Sequence, residues 1–146
     1  MMRRVLHPSD FSTASGAAFK KAIDMAKASR AELLVAHVIS PMVPVTSEGY
    51  LPPKMYDEIA ASNRAWAKKQ LDRLVAKARQ AGVRATALLA EGAAHEQIIR
   101  LARAKRADLV VMGTHGRSGL ARLFLGSVAG RVVTAARCPV LTVRGK

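Results

Sequence analysis

Five short apolar runs, each closed by a turn and the first four each followed by a segment of helical length, set the frame of this 146-residue chain. The most telling is Glu32 to Ile39, Glu-Leu-Leu-Val-Ala-His-Val-Ile, apolar almost without a break. A strand with one wet face alternates apolar and polar residues. A continuous run reads instead as a strand covered on both faces, the condition of a central strand in a parallel sheet. The other runs are Arg3 to Pro8, Val83 to Ala90, Asp108 to Met112 and Arg137 to Val143. Helices are expected over Ser12 to Ser29, Lys54 to Ala81 and Ala93 to Lys105, with a last one opened by Ser127. In the first, Ala18, Phe19, Ala22, Ile23 and Ala26 recur at helical spacing. In the second, Met55, Ile59, Trp66, Leu74 and Ala78 trace the inward stripe, which makes Trp66 a core residue. The alternation predicts an α/β fold with an open five-stranded parallel sheet, flavodoxin-like or Rossmann-like.

Such sheets bind ligands beyond the carboxyl ends of their strands. There the stretch from Val110 to Val128 stands out, because an apolar strand stops at Gly113 and runs through Gly116 to Gly126-Ser127. Glycines let the backbone approach a ligand closely. Ser127, a favoured helix N-cap type, would open a helix whose first N–H groups attract an anion, with Arg117 and Arg122 adding positive charge. The same pattern also suits an ordinary strand-to-helix connection. Neither G-x-x-x-x-G-K-[ST] nor G-x-G-x-x-G is present. Asp10, just past the first strand, reads as a helix cap or a ligand contact. His7 and His37 lie near strand ends with no third ligand at useful spacing, so they read as core or cleft histidines. The segment 40–53, with Pro41, Pro44, Pro52 and Pro53, is a long loop and either a lid over the strand ends or a loose connection.

Gly-x2-Gly-x9-Gly-Ser after Ala-Asp-Leu-Val-Val-Met, closed by Arg-Cys-Pro-Val-Leu-Thr-Val and opened by Val-Leu-His-Pro-Ser-Asp-Phe-Ser, resembles the universal stress protein family in its ATP-binding branch. The likeness spans Val5 to Val143. It implies strand order 3-2-1-4-5 with helices on both faces and a nucleotide beside the first and fourth strands. It further implies that Pro8, Ser9, Asp10, Val38 and Met112 frame the adenosine. Gly113, Gly116 and the N–H groups around Gly126, Ser127 and Val128 would hold the phosphates, with His115 and Arg117 beside them. The turn Gly92-Ala93-Ala94 would border the cleft, although it lacks a helix-initial proline. A homodimer through the edge strand Pro139 to Val143 is implied as well.

Length and composition, with 50% apolar residues, suit one domain over residues 1–146. No apolar run approaches the ~20 residues of a membrane-spanning helix, and the amino terminus lacks the apolar core of a signal peptide. The expectation is a cytoplasmic protein without a membrane partner. Cys138, the one cysteine, forms no internal disulfide and reads as packing. The formal charge of +14 raises acidic partners, yet the basic residues are spread along the chain and aromatics for base stacking are few.

Two functional expectations follow. The first is an ATP-binding stress-response protein acting as a nucleotide-dependent switch or scaffold, with a protein partner and with magnesium or manganese bound through the phosphates. With neither a P-loop lysine nor an acidic metal site, it is at most a weak or partner-stimulated ATPase. The alternative is a basic module for nucleic acid or an acidic partner, with a vestigial cleft.

Overall fold

The computed structural model describes residues 1–41, 45–46, 48–115 and 125–145, and at 45–46 the backbone only. Its elements run β1 (Arg4–Pro8), α1 (Thr13–Ser29), β2 (Glu32–Ile39), β3 (Val45–Thr46), β4 (Gly49–Tyr50), α2 (Pro53–Gln80), β5 (Ala85–Glu91), α3 (Ala94–Ala104), β6 (Leu109–Gly113), α4 (Ser127–Ala135) and β7 (Val140–Val143). The main sheet is ordered β5-β2-β1-β6-β7 and every pairing within it is parallel. With the β3-β4 pair left out of the count, that is the order 3-2-1-4-5.

Alternation along the strands splits the core in two. Val5, Leu33, Val35 and Val111 face one way, onto Phe19 and Ala22 of α1 and Leu71 and Val75 of α2. Leu6, Leu34, Ala36 and Val110 face the other, onto Ile98 of α3 and Val132 of α4. The unbroken apolar character of β2 follows directly, since both its faces are covered. Cys138 is half-buried against the second cluster, and burial pushes its thiol pKa up.

Three expectations need correction. Segment 40–53 is not loop throughout, because β3 and β4 pair antiparallel within it. The inward stripe of α2 is Ala67, Leu71, Val75 and Ala78. This row recurs at four-, four- and three-residue spacing and lies in the second half of the helix, leaving Met55 and Trp66 exposed. Ser127 is the first residue of α4, and Gly126 holds the cap position. Element ends otherwise shift by one to three residues, the most at the start of β7. β5, for example, begins after Val83 because the Val83 N–H closes α2 by donating to the Ala78 carbonyl. No helix among the described residues is long and apolar enough to cross a membrane.

Three helices end alike. At the ends of α1, α2 and α3 a residue takes left-handed backbone: Arg30 (φ 55°), Gly82 (φ 86°) and Arg106 (φ 54°). The following N–H reaches back five residues, from Ala31 to the Ala26 carbonyl, Val83 to Ala78 and Ala107 to Ala102. This is the helix-ending turn that glycine normally occupies. Here arginine fills it twice.

Candidate functional site

A cleft of about 590 Å³ opens at the carboxyl ends of β1, β2 and β6, within the size range of small-molecule sites. It lies where the strand order reverses, between β1 and β6. One wall comes from Pro8, Ser9 and Asp10 at the end of β1, and another from Val38 and its neighbours at the end of β2. Opposite stand Met112, Gly113, Thr114 and His115, followed by Gly126, Ser127 and Val128 at the start of α4. Residues nearly a hundred positions apart thus share one concave surface.

The first turn of α1 is built from side chains. Ser12 is the N-cap, its hydroxyl accepting from the Ser15 N–H. Asp10 Oδ1 in turn accepts from the Ser12 N–H at 2.9 Å and from the Ser12 hydroxyl. Asp10 therefore lines the cleft and braces the turn at once, but the cap itself is Ser12, not Asp10. Ser9 donates its N–H to the Ala36 carbonyl, and its own carbonyl accepts from His37 Nδ1 at 2.7 Å. These bonds tie the ends of β1 and β2 together.

At the opposite wall the chain returns tightly. The Gly126 N–H donates to the Thr114 carbonyl at 2.6 Å, and a Cβ on Gly126 would stand 2.9 Å from that same oxygen. Only glycine fits so close an approach. Gly113 differs, since a Cβ there would make ordinary contacts of 3.5 Å and longer. The first helical bond of α4 runs from the Gly130 N–H to the Gly126 carbonyl. The N–H groups of Ser127, Val128 and Ala129 thus have no acceptor within the helix and stand at its positive end beside the cleft. His115 Nδ1 and Thr114 Oγ1 are 2.9 Å apart, while His115 Nε2 is buried without a hydrogen-bond partner among the described residues. Gly116, Arg117 and Arg122 lie outside the described residues.

An aromatic group forms the third side. Phe11, between β1 and α1, is held at φ 63° and donates its N–H to Ser9 Oγ. Its ring stacks on His37 at 4.2 Å and meets Trp66 edge-on at 5.5 Å. Trp66 is 49% exposed and lines the cleft with Asn63, which overturns its reading as a core residue. It lies one position off the buried stripe of α2. Ala94 and Ile98 of α3 also reach the cleft, whereas Gly92, whose N–H donates to the Ile39 carbonyl, anchors the preceding turn.

The other strand histidine has a different fate. His7 is wholly buried, its Nδ1–H donating to the Val111 carbonyl at 2.8 Å. Burial drives its pKa down from 6.5 to about 4, against the raising effect of that bond and of Asp10. It is a neutral core imidazole. Among the described residues no cluster of three His, Cys, Asp or Glu side chains is placed to hold a metal.

Residues 1–144 match the family model described as the universal stress protein family. The chain belongs to the universal stress protein family. Universal stress protein MJ0531 of Methanocaldococcus jannaschii is 36% identical over 146 residues, covering 99% of this chain and 83% of the relative. Among solved structures, that of MJ0577 of the same organism superposes with a TM-score of 0.86 at 26% identity, covering 100% of this chain and 98% of the other. A universal stress protein crystallised in complex with cAMP superposes with a TM-score of 0.72 at 26% identity, covering 99% and 98%. The chain is thus of a stress-response family in which nucleotide binding occurs.

Proposed function

We propose that this universal stress protein binds ATP in the cleft and acts as a nucleotide-dependent switch or scaffold. The observation that carries the reading is the pairing of two elements across one cavity. The cradle of Gly126 and the first turn of α4 suits a phosphate, and it faces the Pro8, Ser9 and Asp10 turn on the other side. Oriented N–H groups at a helix start favour an anion, and His115 Nε2, buried without a hydrogen-bond partner among the described residues, adds a polar group at that end. Val38, Met112 and the Trp66 wall supply the apolar end that a base requires. Gly116 and Arg117 would join the phosphate side.

The residues fit the nucleotide better than they fit catalysis. Transfer of a phosphoryl group needs an aligned acceptor and fixed positive charge on the moving group, and the described cleft walls hold neither lysine nor arginine. Magnesium or manganese would be held through phosphate oxygens and water, as magnesium often is. Hydrolysis is absent, slow or partner-stimulated. We also infer a homodimer through β7. Among the described residues this edge strand pairs only with β6, and its residues Val140 to Val143 are all partly exposed.

Calorimetry with magnesium and ATP tests the first reading. Wild type is expected to bind in the micromolar range. Gly113→Val, whose Cβ would make only ordinary contacts at a residue lining the cleft, is expected to lose that binding while staying folded. A folded wild type that binds no adenine nucleotide overturns the proposal. A monomeric mass by light scattering at micromolar concentration overturns the dimer.

A further inference from the structure

The parallel sheet gathers the starts of all its strands at one end, opposite the cleft, and an arginine stands just before or at the start of each. Arg3 and Arg4 lead into β1, Arg30 into β2, Arg84 into β5, Arg106 into β6 and Arg137 into β7. All six are exposed. What is scattered along the sequence is a row in space. The Glu32 N–H donates to the Arg3 carbonyl, Leu33 to Arg84 and Asp108 to Arg4, so the turns lie side by side. Strand spacing of ~4.8 Å spreads the row over about 19 Å.

We infer that this end of the sheet is a docking surface for the phosphate backbone of duplex nucleic acid, read without regard to sequence. The inference does not depend on the nucleotide reading of the cleft.

Four observations carry it. First, the charges are guanidiniums, which match phosphate oxygens bidentately. Second, they are not consumed by ion pairs: the salt bridges among the described residues, Arg64–Glu91 and His95–Glu96, involve none of them. Arg4 and Arg84 each touch a turn carbonyl, of Lys105 and Arg30. A guanidinium has five N–H groups, so those contacts orient it without exhausting it. The nearby carboxylates are Glu32 and Asp108, and Asp108 accepts the backbone N–H groups of Arg3 and Arg4.

Third, Arg30 and Arg106 occupy left-handed positions where glycine would relieve strain, as Gly82 does in the equivalent turn. Cations near helix carboxyl ends favour the helix dipole, which accounts for Lys27 and Arg103 in the last turns. It does not require a strained backbone at Arg30 or Arg106. Fourth, the exposed aromatics Tyr50 and Trp66 belong to the cleft half of the molecule. Without a stacking platform among the described residues at the arginine end, unpaired bases have nothing to rest on, which favours a duplex over a single strand. Over 19 Å a duplex presents on the order of ten phosphates.

Fluorescence anisotropy of a labelled duplex of about 20 base pairs, between about 50 and 200 mM salt, tests the inference. Wild type should bind with a log–log salt slope of about −4 to −5, as for about five phosphate contacts. The variant Arg30→Gly, Arg84→Gln, Arg106→Gly, Arg137→Gln should weaken binding at least tenfold and flatten the slope by about 3. Its two glycines suit the left-handed turns, so the fold is kept. Lys20→Gln, Lys21→Gln, Lys68→Gln, Lys69→Gln removes as many exposed charges from α1 and α2 and should change affinity less than about threefold. Saturating ATP should leave the duplex bound. No duplex binding by wild type, equal losses in the two variants, or displacement by ATP overturns the inference. So does tighter binding to anionic lipid vesicles or to poly-glutamate, which would assign the surface to a membrane or an acidic protein.

Discussion

The two ends of the sheet are made of the same parts and carry opposite chemistry. At the carboxyl ends of the strands the described turns are short in cations and rich in glycine, serine and aromatic side chains around a cavity. At the amino ends there is a row of arginines. Both ends hold strained backbone: Phe11 at φ 63° beside the cleft, Arg30 and Arg106 in the row. Parallel topology produces this division, because it sends every strand start one way and every strand end the other. Six of the 24 basic residues thus meet at one end of the sheet, although the sequence shows them only as scattered arginines.

Acid should separate the two ends most strongly. His7, on β1 near the cleft, has a folded pKa of about 4 against 6.5. The unfolded chain binds the extra proton first, so stability is complete above about pH 6.5 and falls as pH drops toward 4, by roughly 3 kcal/mol. Asp108, at the arginine end, is held below its ordinary value by the N–H groups of Arg3 and then Arg4. Its contribution is present above pH 3.8 and is lost only as pH falls below that. Denaturant titrations from pH 7.5 downward should show the earlier loss in wild type and not in His7→Leu. An unchanged acid slope in that variant would remove His7 as its source.

Gly126 gives the next largest effect. Gly126→Val drives a side chain against the Thr114 carbonyl and should cost about 2–3 kcal/mol by overpacking, with loss of ATP binding. Urea melts and calorimetry read the two losses together. Gly113→Val should lose the binding alone, and equal destabilisation by both valines would contradict the different surroundings of the two glycines.

Much of this was legible from the chain. The unbroken run of β2 announced a sheet covered on both faces, and the order of apolar runs announced parallel strands. Every described residue expected at the ligand site lines one cleft, Pro8 through Val128, because strand ends in such a sheet converge whatever their distance in sequence. The aromatic wall was not legible. Met55, Ile59 and Trp66 resemble a helical stripe, but α2 is longer than the sheet it covers, and only its second half finds a core to enter. The arginine row was equally hidden, since single arginines dozens of residues apart form no local motif until topology brings the turns together.

Trp66 tests the wall. If the cleft takes an adenine nucleotide against this side, Trp66→Ala should weaken ATP by about 1–2 kcal/mol, the scale of a base–aromatic contact, and Trp66→Phe should restore most of it. Trp66 is the one tryptophan of the chain, so quenching of its emission by ATP reports the same contact directly. Calorimetric binding with neither quenching nor loss in the alanine variant would place the base elsewhere in the cleft.

The smallest effect bears on why arginine stands in two glycine positions. Left-handed backbone costs a residue with a Cβ roughly 1–2 kcal/mol, part of which glycine returns as greater freedom in the unfolded chain. Arg30→Gly and Arg106→Gly should therefore each raise stability by about 0.5–1 kcal/mol, a few degrees in the melting temperature at most. The turn of α2 supplies the reverse experiment. A Cβ on Gly82 would meet nothing within 4 Å, so the φ of 86° is the whole obstacle there. Gly82→Arg should lose a similar amount of stability and extend the cationic row beside Arg84, tightening duplex binding as it weakens the fold. Opposite movement of stability and binding in these substitutions would tie the strained arginines to charge at this end of the sheet. A gain of both in Arg30→Gly would mean that the arginine there serves neither.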